Sequence, residues 1–156
     1  MYSLRLLAWN DTNSRPAKLV RLLGRQYYTH VALQVGSAVA HVGIGKPAKW
    51  TSRSAIERTM GTPSLDLSLG VAEVNVTELN GMLAEACPRT PTILSGIWNW
   101  LTFREVPGSC VKMTRHLLAQ MGTNVPDHIT KPDALVRYLN VLFDSSSCRL
   151  RRSADG

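Results

Sequence analysis

The stretch from residue 27 to residue 44 has the sequence pattern of a β-hairpin. Aliphatic, β-branched and aromatic residues fill 27–35 and 38–44, and residues of this kind favour strands. Gly36 and Ser37 separate the two runs, and such a pair favours a tight two-residue turn. The pattern predicts two antiparallel strands in one register, because a shift of one residue would exchange the two faces.

The turn places His30 and His41 on the same face of the predicted hairpin. With the turn centred on Gly36 and Ser37, Ala32 faces His41, and the two histidines are diagonal neighbours with Cβ atoms within about 7–8 Å. This spacing puts the imidazoles within hydrogen-bonding reach of each other. Tyr28 is predicted on the same mixed face. The opposite face is wholly apolar and carries Val31, Leu33, Val35, Ala38, Ala40 and Val42.

The remaining elements are predicted from caps, breakers and apolar spacing. A strand is predicted at 3–9, and one or two more within 65–76, where Gly70 marks a bend. The run Gly45-Lys46-Pro47 is predicted to end the second hairpin strand. Helices are predicted at 14–24, 52–60, 77–87, 90–100, 110–120 and 131–143. Hairpin strands with segregated helices indicate an α+β fold, a small antiparallel sheet packed with helices.

Composition fits one globular domain. The chain has 156 residues, of which 44% are hydrophobic and 19% charged, so we expect a single domain over 1–143 and a polar, basic tail over 144–156. The sequence shows no membrane or export segment. No apolar run approaches the roughly 18 residues of a membrane span. The N-terminus has no cleavage pattern, so we expect synthesis in the cytoplasm without a secretory signal.

Three cysteines without a CxxC pair exclude a disulfide framework or a zinc ribbon.

The net charge of +7 favours anionic partners. Within the predicted helix 14–24, Lys18 and Arg21 share a basic stripe with Arg25, opposite the apolar leucines. Phosphate, carboxylate, nucleic acid and lipid headgroups all fit such a stripe. A solvated basic surface without a partner is the alternative interpretation.

Cys110 is the candidate nucleophile. Ser109 is a plausible helix N-cap, which puts Cys110 in the first turn, where backbone N–H groups and the helix dipole favour a thiolate and an oxyanion. Helical spacing aligns Cys110 with Thr114 and Leu117, the core-facing stripe. The alternative is an ordinary buried cysteine.

Together, Cys110, His30 and His41 have the composition of a thiol-based catalytic triad. His30 would take the proton of the thiol, and His41 would orient His30 and favour its imidazolium form. This chemistry needs no cofactor. Two alternatives stay open: a zinc site built from the same three residues, and a non-catalytic basic module that binds nucleic acid or an anionic surface.

The ordered combination of these motifs resembles the circularly permuted papain-like fold of NlpC-related hydrolases and lecithin retinol acyltransferase-like proteins. The motifs are Thr29-His30 before alternating aliphatics, His41 on the next strand, Cys110 opening a helix that ends at Gly122, and the later Pro132-Asp133. The resemblance covers most of residues 2–142. It implies a papain-like α+β fold and acyl transfer through a thioester.

The resemblance also implies substrates and further site residues. Peptidoglycan peptide amides are the first expected substrate, with lipid or protein acyl groups next. Asn10 and Tyr28 are candidates for the side-chain oxyanion donor, and Ser109 is a candidate beside the nucleophile, where family members often have an aromatic residue or Asn. We expect a bacterial or phage protein, virion-associated or released at lysis.

Overall fold

A computed structural model describes residues 1–10, 27–43, 45–90, 92, 94, 98 and 110–154, with side chains to Asp144 in the last helix. The predicted basic helix with Lys18, Arg21 and Arg25 lies outside the described residues. So do Ser109 and most of the helix predicted at 90–100.

The described residues form one five-stranded antiparallel sheet, which confirms the α+β class. Its strands are β1 (Tyr2–Trp9), β2 (His30–Val35), β3 (Ala38–Gly43), β4 (Lys46–Ser52) and β5 (Leu65–Ala72). The strand order is β4-β3-β2-β1-β5, and every pair of neighbouring strands is antiparallel. The N-terminal strand β1 therefore lies inside the sheet, between β2 and β5.

The hairpin has the predicted register. Val35 pairs with Ala38 and Leu33 pairs with Ala40 across the turn. Gly36 has a φ of 58°, a left-handed conformation that costs glycine little. A Cβ at that position would lie 2.9 Å from Cδ1 of Tyr2, so any other residue would also have to displace the Tyr2 ring.

Two glycines mark irregularities that sequence patterns locate only in part. Gly45 has a φ of 73°, and the chain resumes as β4 directly after it, although the sequence predicts only an end to the previous strand. Pro47 is tolerated because β4 lies at the edge of the described sheet. The predicted bend at Gly70 is confirmed: the pairing of β1 with β5 shifts there, and Gly70 has a φ of 96°.

Four helices accompany the sheet within the described residues: α1 (Arg53–Met60), α2 (Leu79–Ala86), α3 (Cys110–Gln120) and α4 (Pro132–Ala154). Ser52 caps α1, which sequence analysis predicted without naming a cap: its hydroxyl accepts a hydrogen bond from the Ala55 amide at 3.2 Å. The last helix is longer than predicted. It continues past residue 143. The serines after that residue reduce the helix propensity only modestly, and no Gly or Pro interrupts them.

Both faces of the sheet are covered. The larger apolar cluster lies between the sheet and α2, α3 and α4, and it includes Leu6, Val31, Leu83, Leu117 and Leu139. A smaller cluster lies on the opposite face under α1 and consists of Leu7, Trp9, Ala32, Val39 and Ile56, with Met60 packed against it. We call these the α3 face and the α1 face. Of the helices described, none is long and apolar enough to cross a membrane.

Candidate functional site

His30 and His41 contact each other, as the hairpin register predicts. Their ring centroids are 5.1 Å apart with an interplanar angle of 76°, an edge-to-face contact. His30 is also paired with Trp9 across β1 and β2, with ring centroids 5.8 Å apart. Trp9 belongs to the cluster under α1 and donates its indole N–H to the Gly61 carbonyl at 2.9 Å. The histidine pair therefore lies on the α1 face.

Burial lowers the pKa of both imidazoles and so favours their neutral form. Desolvation, together with the neighbouring His41, lowers the pKa of His30 from 6.5 to about 3. The pKa of His41 is lowered by burial and then by the charges of Lys49 and Lys46. The expectation that His41 favours a charged His30 is therefore wrong, because a second imidazole in a dry site opposes protonation of the first.

The histidine pair leaves polar atoms unsatisfied. Nε2 of His30 and Nδ1 of His41 are buried, and neither has a hydrogen-bond partner among the described residues. The two rings thus meet edge to face without a hydrogen bond through these nitrogens. An enclosed polar atom of this kind carries a desolvation cost of about 1–3 kcal/mol, so the pair is favourably placed to accept a further polar group.

Cys110 lies on the other side of the sheet. It is the first residue of α3, as predicted, is partly buried, and remains a thiol. It packs against the larger apolar cluster on the α3 face. Thr114 and Leu117, which share its helical stripe, are completely buried. The described arrangement does not bring the thiol to the imidazoles.

Strand alternation explains this separation. Val31 and Leu33 point toward α3 and belong to its cluster, so His30, which precedes Val31, points to the α1 face. The helices α2, α3 and α4 cover the hairpin face that is wholly apolar, because burying it removes the larger apolar area from water. That apolar face is the sequence signal that indicates which side α3 occupies.

The two described oxyanion candidates differ in their surroundings. The Asn10 side chain accepts a hydrogen bond from the Ser64 hydroxyl at 2.6 Å and donates one to the Tyr27 hydroxyl at 3.1 Å. Tyr28 packs against the cluster on the α3 face. Its predicted place beside the histidines is wrong, because β2 begins only at His30 and strand alternation does not extend back to Tyr28.

Asp133 holds the segment that leads into β2, a role that sequence analysis missed. Its carboxylate accepts hydrogen bonds from the backbone amides of Tyr27 at 2.6 Å and Tyr28 at 2.7 Å. Burial, Tyr27 and Asp133 together raise the pKa of the Tyr28 hydroxyl. Asp133 lies in the first turn of α4, so it connects this helix to the chain just ahead of His30.

The described residues do not assemble the zinc alternative. No group of three or more His, Cys, Asp or Glu side chains that would suit a metal ion occurs among them, and Cys110 and the two histidines occupy opposite faces. Cys87 ends α2, is buried, and burial raises the pKa of its thiol. Cys87 is therefore the buried comparison for Cys110.

In comparisons with known proteins, no family model and no curated protein matches this sequence.

Proposed function

We propose that this chain is a cysteine-dependent hydrolase or acyltransferase with Cys110 as its nucleophile. One observation carries the proposal: Cys110 is the first residue of α3, His30 is the first residue of β2, and α3 packs on β2. The candidate nucleophile and the candidate base are thus the first residues of two elements that pack against each other. The order of motifs, with His41 on the next strand and Pro132-Asp133 at a later helix, supports the resemblance to permuted papain-like enzymes.

The proposed chemistry is acyl transfer in two steps. The Cys110 sulfur attacks the carbonyl carbon of an amide or ester, a C–S bond forms, and the thiol proton passes to an imidazole. Collapse of the tetrahedral intermediate breaks the bond to the amine or alcohol, which takes that proton, and leaves a thioester. Water or another acceptor then cleaves the thioester. Amide groups in the first turn of α3 are suited to stabilise the oxyanion.

The base is the demanding part of this proposal. A neutral His30 is in the right state to accept a proton, but its ring faces Trp9 and α1. Proton transfer from Cys110 therefore requires the His30 side chain to turn toward the α3 face, or a water molecule to relay the proton. Either route makes the reactivity of Cys110 depend on His30, and that dependence is measurable.

We propose amides of peptidoglycan peptides as the first substrate class, with lipid or protein acyl groups second. The net charge of +7 favours an acidic substrate. A bacterial or phage enzyme, virion-associated or released at lysis, would encounter the cell wall.

Turnover by matched cysteine variants tests this function. Activated acyl esters and short cell-wall peptides are incubated with the wild type, with Cys110→Ala and with Cys87→Ala, and products and adducts are followed by mass spectrometry. We expect Cys110→Ala to lose at least about a hundredfold in rate, and an acyl adduct on Cys110. Cys87→Ala should keep its rate. Full turnover by Cys110→Ala would remove the basis of the proposal.

A second candidate function is a basic module without catalysis, which binds nucleic acid or an anionic surface. The specific observation in its favour is that the thiol and the two imidazoles lie on opposite faces of the sheet. Binding to DNA or RNA that weakens steeply with salt and is unaffected by Cys110→Ala would favour this function.

A further inference from the structure

Two lysines stand beside the histidine pair on the edge strand β4. Lys49 pairs with His41 and Lys46 pairs with Gly43 across β3 and β4. Both lysines are exposed. Within the described part of the chain neither lysine forms an ion pair, whereas the arginines Arg5, Arg53 and Arg115 do. This corner of the sheet thus carries two positive charges that no described carboxylate neutralises.

Gly43 leaves room for about one methyl group between His41 and Lys46. A Cβ built on Gly43 would lie 3.9 Å from Nε2 of His41 and 4.0 Å from Cβ of Lys46. Nδ1 is the nitrogen of His41 that is buried without a partner, so the opposite edge of the ring, with Nε2, borders the space above the glycine. We call the group formed by His41, Gly43, Lys46 and Lys49 the Gly43 notch.

The notch offers hydrogen-bond donors and positive charge. Each ammonium is a donor only, and a neutral imidazole with its proton on Nε2 donates from that edge. The charges of Lys49 and Lys46, after burial, help to lower the pKa of His41, as expected where positive charge accumulates. His30 contributes a second neutral ring from β2. A ligand that brings negative charge and acceptor oxygens would satisfy the two ammonium groups and Nε2–H of His41, whereas a metal cation would be repelled by both lysines.

We propose that the Gly43 notch binds an oxyanion, the phosphate or carboxylate group of a ligand, through Nε2–H of His41 and the ammonium groups of Lys46 and Lys49. The site lies on the α1 face, away from Cys110, and it does not rest on the proposed thiol chemistry. It also differs from the basic stripe of Lys18, Arg21 and Arg25, which lies outside the described residues.

Side-chain NMR of His41 tests the site directly. The protein is titrated with inorganic phosphate and, separately, with acetate, each against chloride at constant ionic strength, while the imidazole resonances of His41 are followed. We expect a saturable shift with at least one of the two anions. The anion that binds more tightly identifies the ligand class as phosphate or carboxylate.

Three variants separate a built site from general attraction to a basic protein. Lys46→Ala with Lys49→Ala should weaken binding by at least about tenfold. Gly43→Ala keeps every charge but fills the notch, and it should weaken binding as well. Lys131→Ala removes an exposed lysine elsewhere and should bind like the wild type. A folded spectrum for each variant is the control.

Two results would overturn the proposal. One is the lack of a saturable His41 shift with either anion. The other is an affinity that the double lysine variant retains. Neither result bears on Cys110, so failure of this site and failure of the thiol chemistry are distinguishable.

Discussion

The imidazole of His30 meets that of His41 edge to face, with ring centroids 5.1 Å apart. Trp9 closes the other side of His30, with ring centroids 5.8 Å apart. The pair thus lies beside Trp9 on the α1 face, and burial lowers the pKa of both rings. Cys110 begins a helix on the opposite face, so the candidate thiol and the two imidazoles lie on different sides of the sheet.

Acid should destabilise the protein through His30. Its folded-state pKa is about 3, against 6.5 for an ordinary histidine. As pH falls below 6.5, the unfolded chain takes up a proton that folded His30 does not. The free energy of unfolding therefore decreases from about pH 6.5 toward pH 3, by up to about 1.4 kcal/mol per pH unit from this residue. Above pH 6.5 the stability that acid removes through His30 is fully present.

Urea unfolding at pH 7.5, 6.0 and 4.5 measures this dependence. The variant His30→Gln should show a shallower loss of stability with acid than the wild type. His116→Gln, which changes an exposed histidine on α3, is the matched control and should follow the wild type. Equal pH dependence in His30→Gln and wild type would contradict the enclosed, neutral state of His30.

Asp66 connects α1 to the sheet through two arginines. Its carboxylate accepts hydrogen bonds from Nε of Arg5 and Nη1 of Arg53, each at 2.6 Å. Although burial raises its pKa, these hydrogen bonds hold the pKa of Asp66 below its ordinary value. Asp66→Asn should lower the free energy of unfolding by about 1 kcal/mol, a figure discounted for the solvent exposure of the arginines.

Thermal or urea unfolding, with and without 1 M salt, checks the Asp66 prediction. At this ionic strength the Debye length is only about 3 Å. High salt should reduce the difference between Asp66→Asn and wild type. Asp144→Asn, at an exposed position of α4, should have almost no effect. A variant Asp66→Asn as stable as the wild type at low salt would show that the network contributes nothing.

Asp133 should control the order of the segment before β2. Removal of its carboxylate in Asp133→Ala leaves the amides of Tyr27 and Tyr28 without these acceptors, at a cost of about 2 kcal/mol. Asp133→Asn keeps one acceptor oxygen and should cost less. Hydrogen exchange is the direct readout: the Tyr27 and Tyr28 amides should exchange faster in Asp133→Ala. Unchanged exchange at both amides would contradict the role assigned to Asp133.

Arg115 is a buried charge that anchors a loop. It is 6% exposed, pairs with Asp127, and donates from Nη1 to the Ile129 carbonyl at 3.3 Å. Arg115→Ala should destabilise the protein by about 2 kcal/mol, because the carbonyl of buried Ile129 loses its charged donor. Arg137→Ala, at an exposed position on α4, is the comparison for urea unfolding. Similar stabilities for the two variants would contradict the anchoring role.

Local signals made the hairpin and the helix of Cys110 predictable. Gly36 and Ser37 fix a turn whose geometry depends on neighbouring residues alone, and the contact of His30 with His41 follows from the register. The helix α3 ends where Gly122 predicts, because Gly122 has a φ of 88° and the Thr123 amide then donates to the Leu118 carbonyl at 2.8 Å. Such closure requires only glycine at that position.

Long-range partners could not be predicted in the same way. The bond from Tyr27 to Asp133 joins residues 106 positions apart, and no local pattern at either end indicates it. Arg115 is buried where it donates to the Ile129 carbonyl. Ile129 lies outside α3, so the residue pattern of that helix does not indicate the burial of Arg115.

Cysteine alkylation against pH tests the central proposal most directly. Iodoacetamide rates at Cys110 and Cys87 are measured by mass spectrometry on the native protein, in the wild type, His30→Ala and the control His116→Ala. We predict that Cys110 reacts well below about pH 8.5, the ordinary pKa of a cysteine thiol, that His30→Ala abolishes this reactivity, and that buried Cys87 stays slow. If Cys110 instead titrates as an ordinary thiol, or reacts equally in His30→Ala, there is no thiol–imidazole pair and the proposed catalytic function is contradicted.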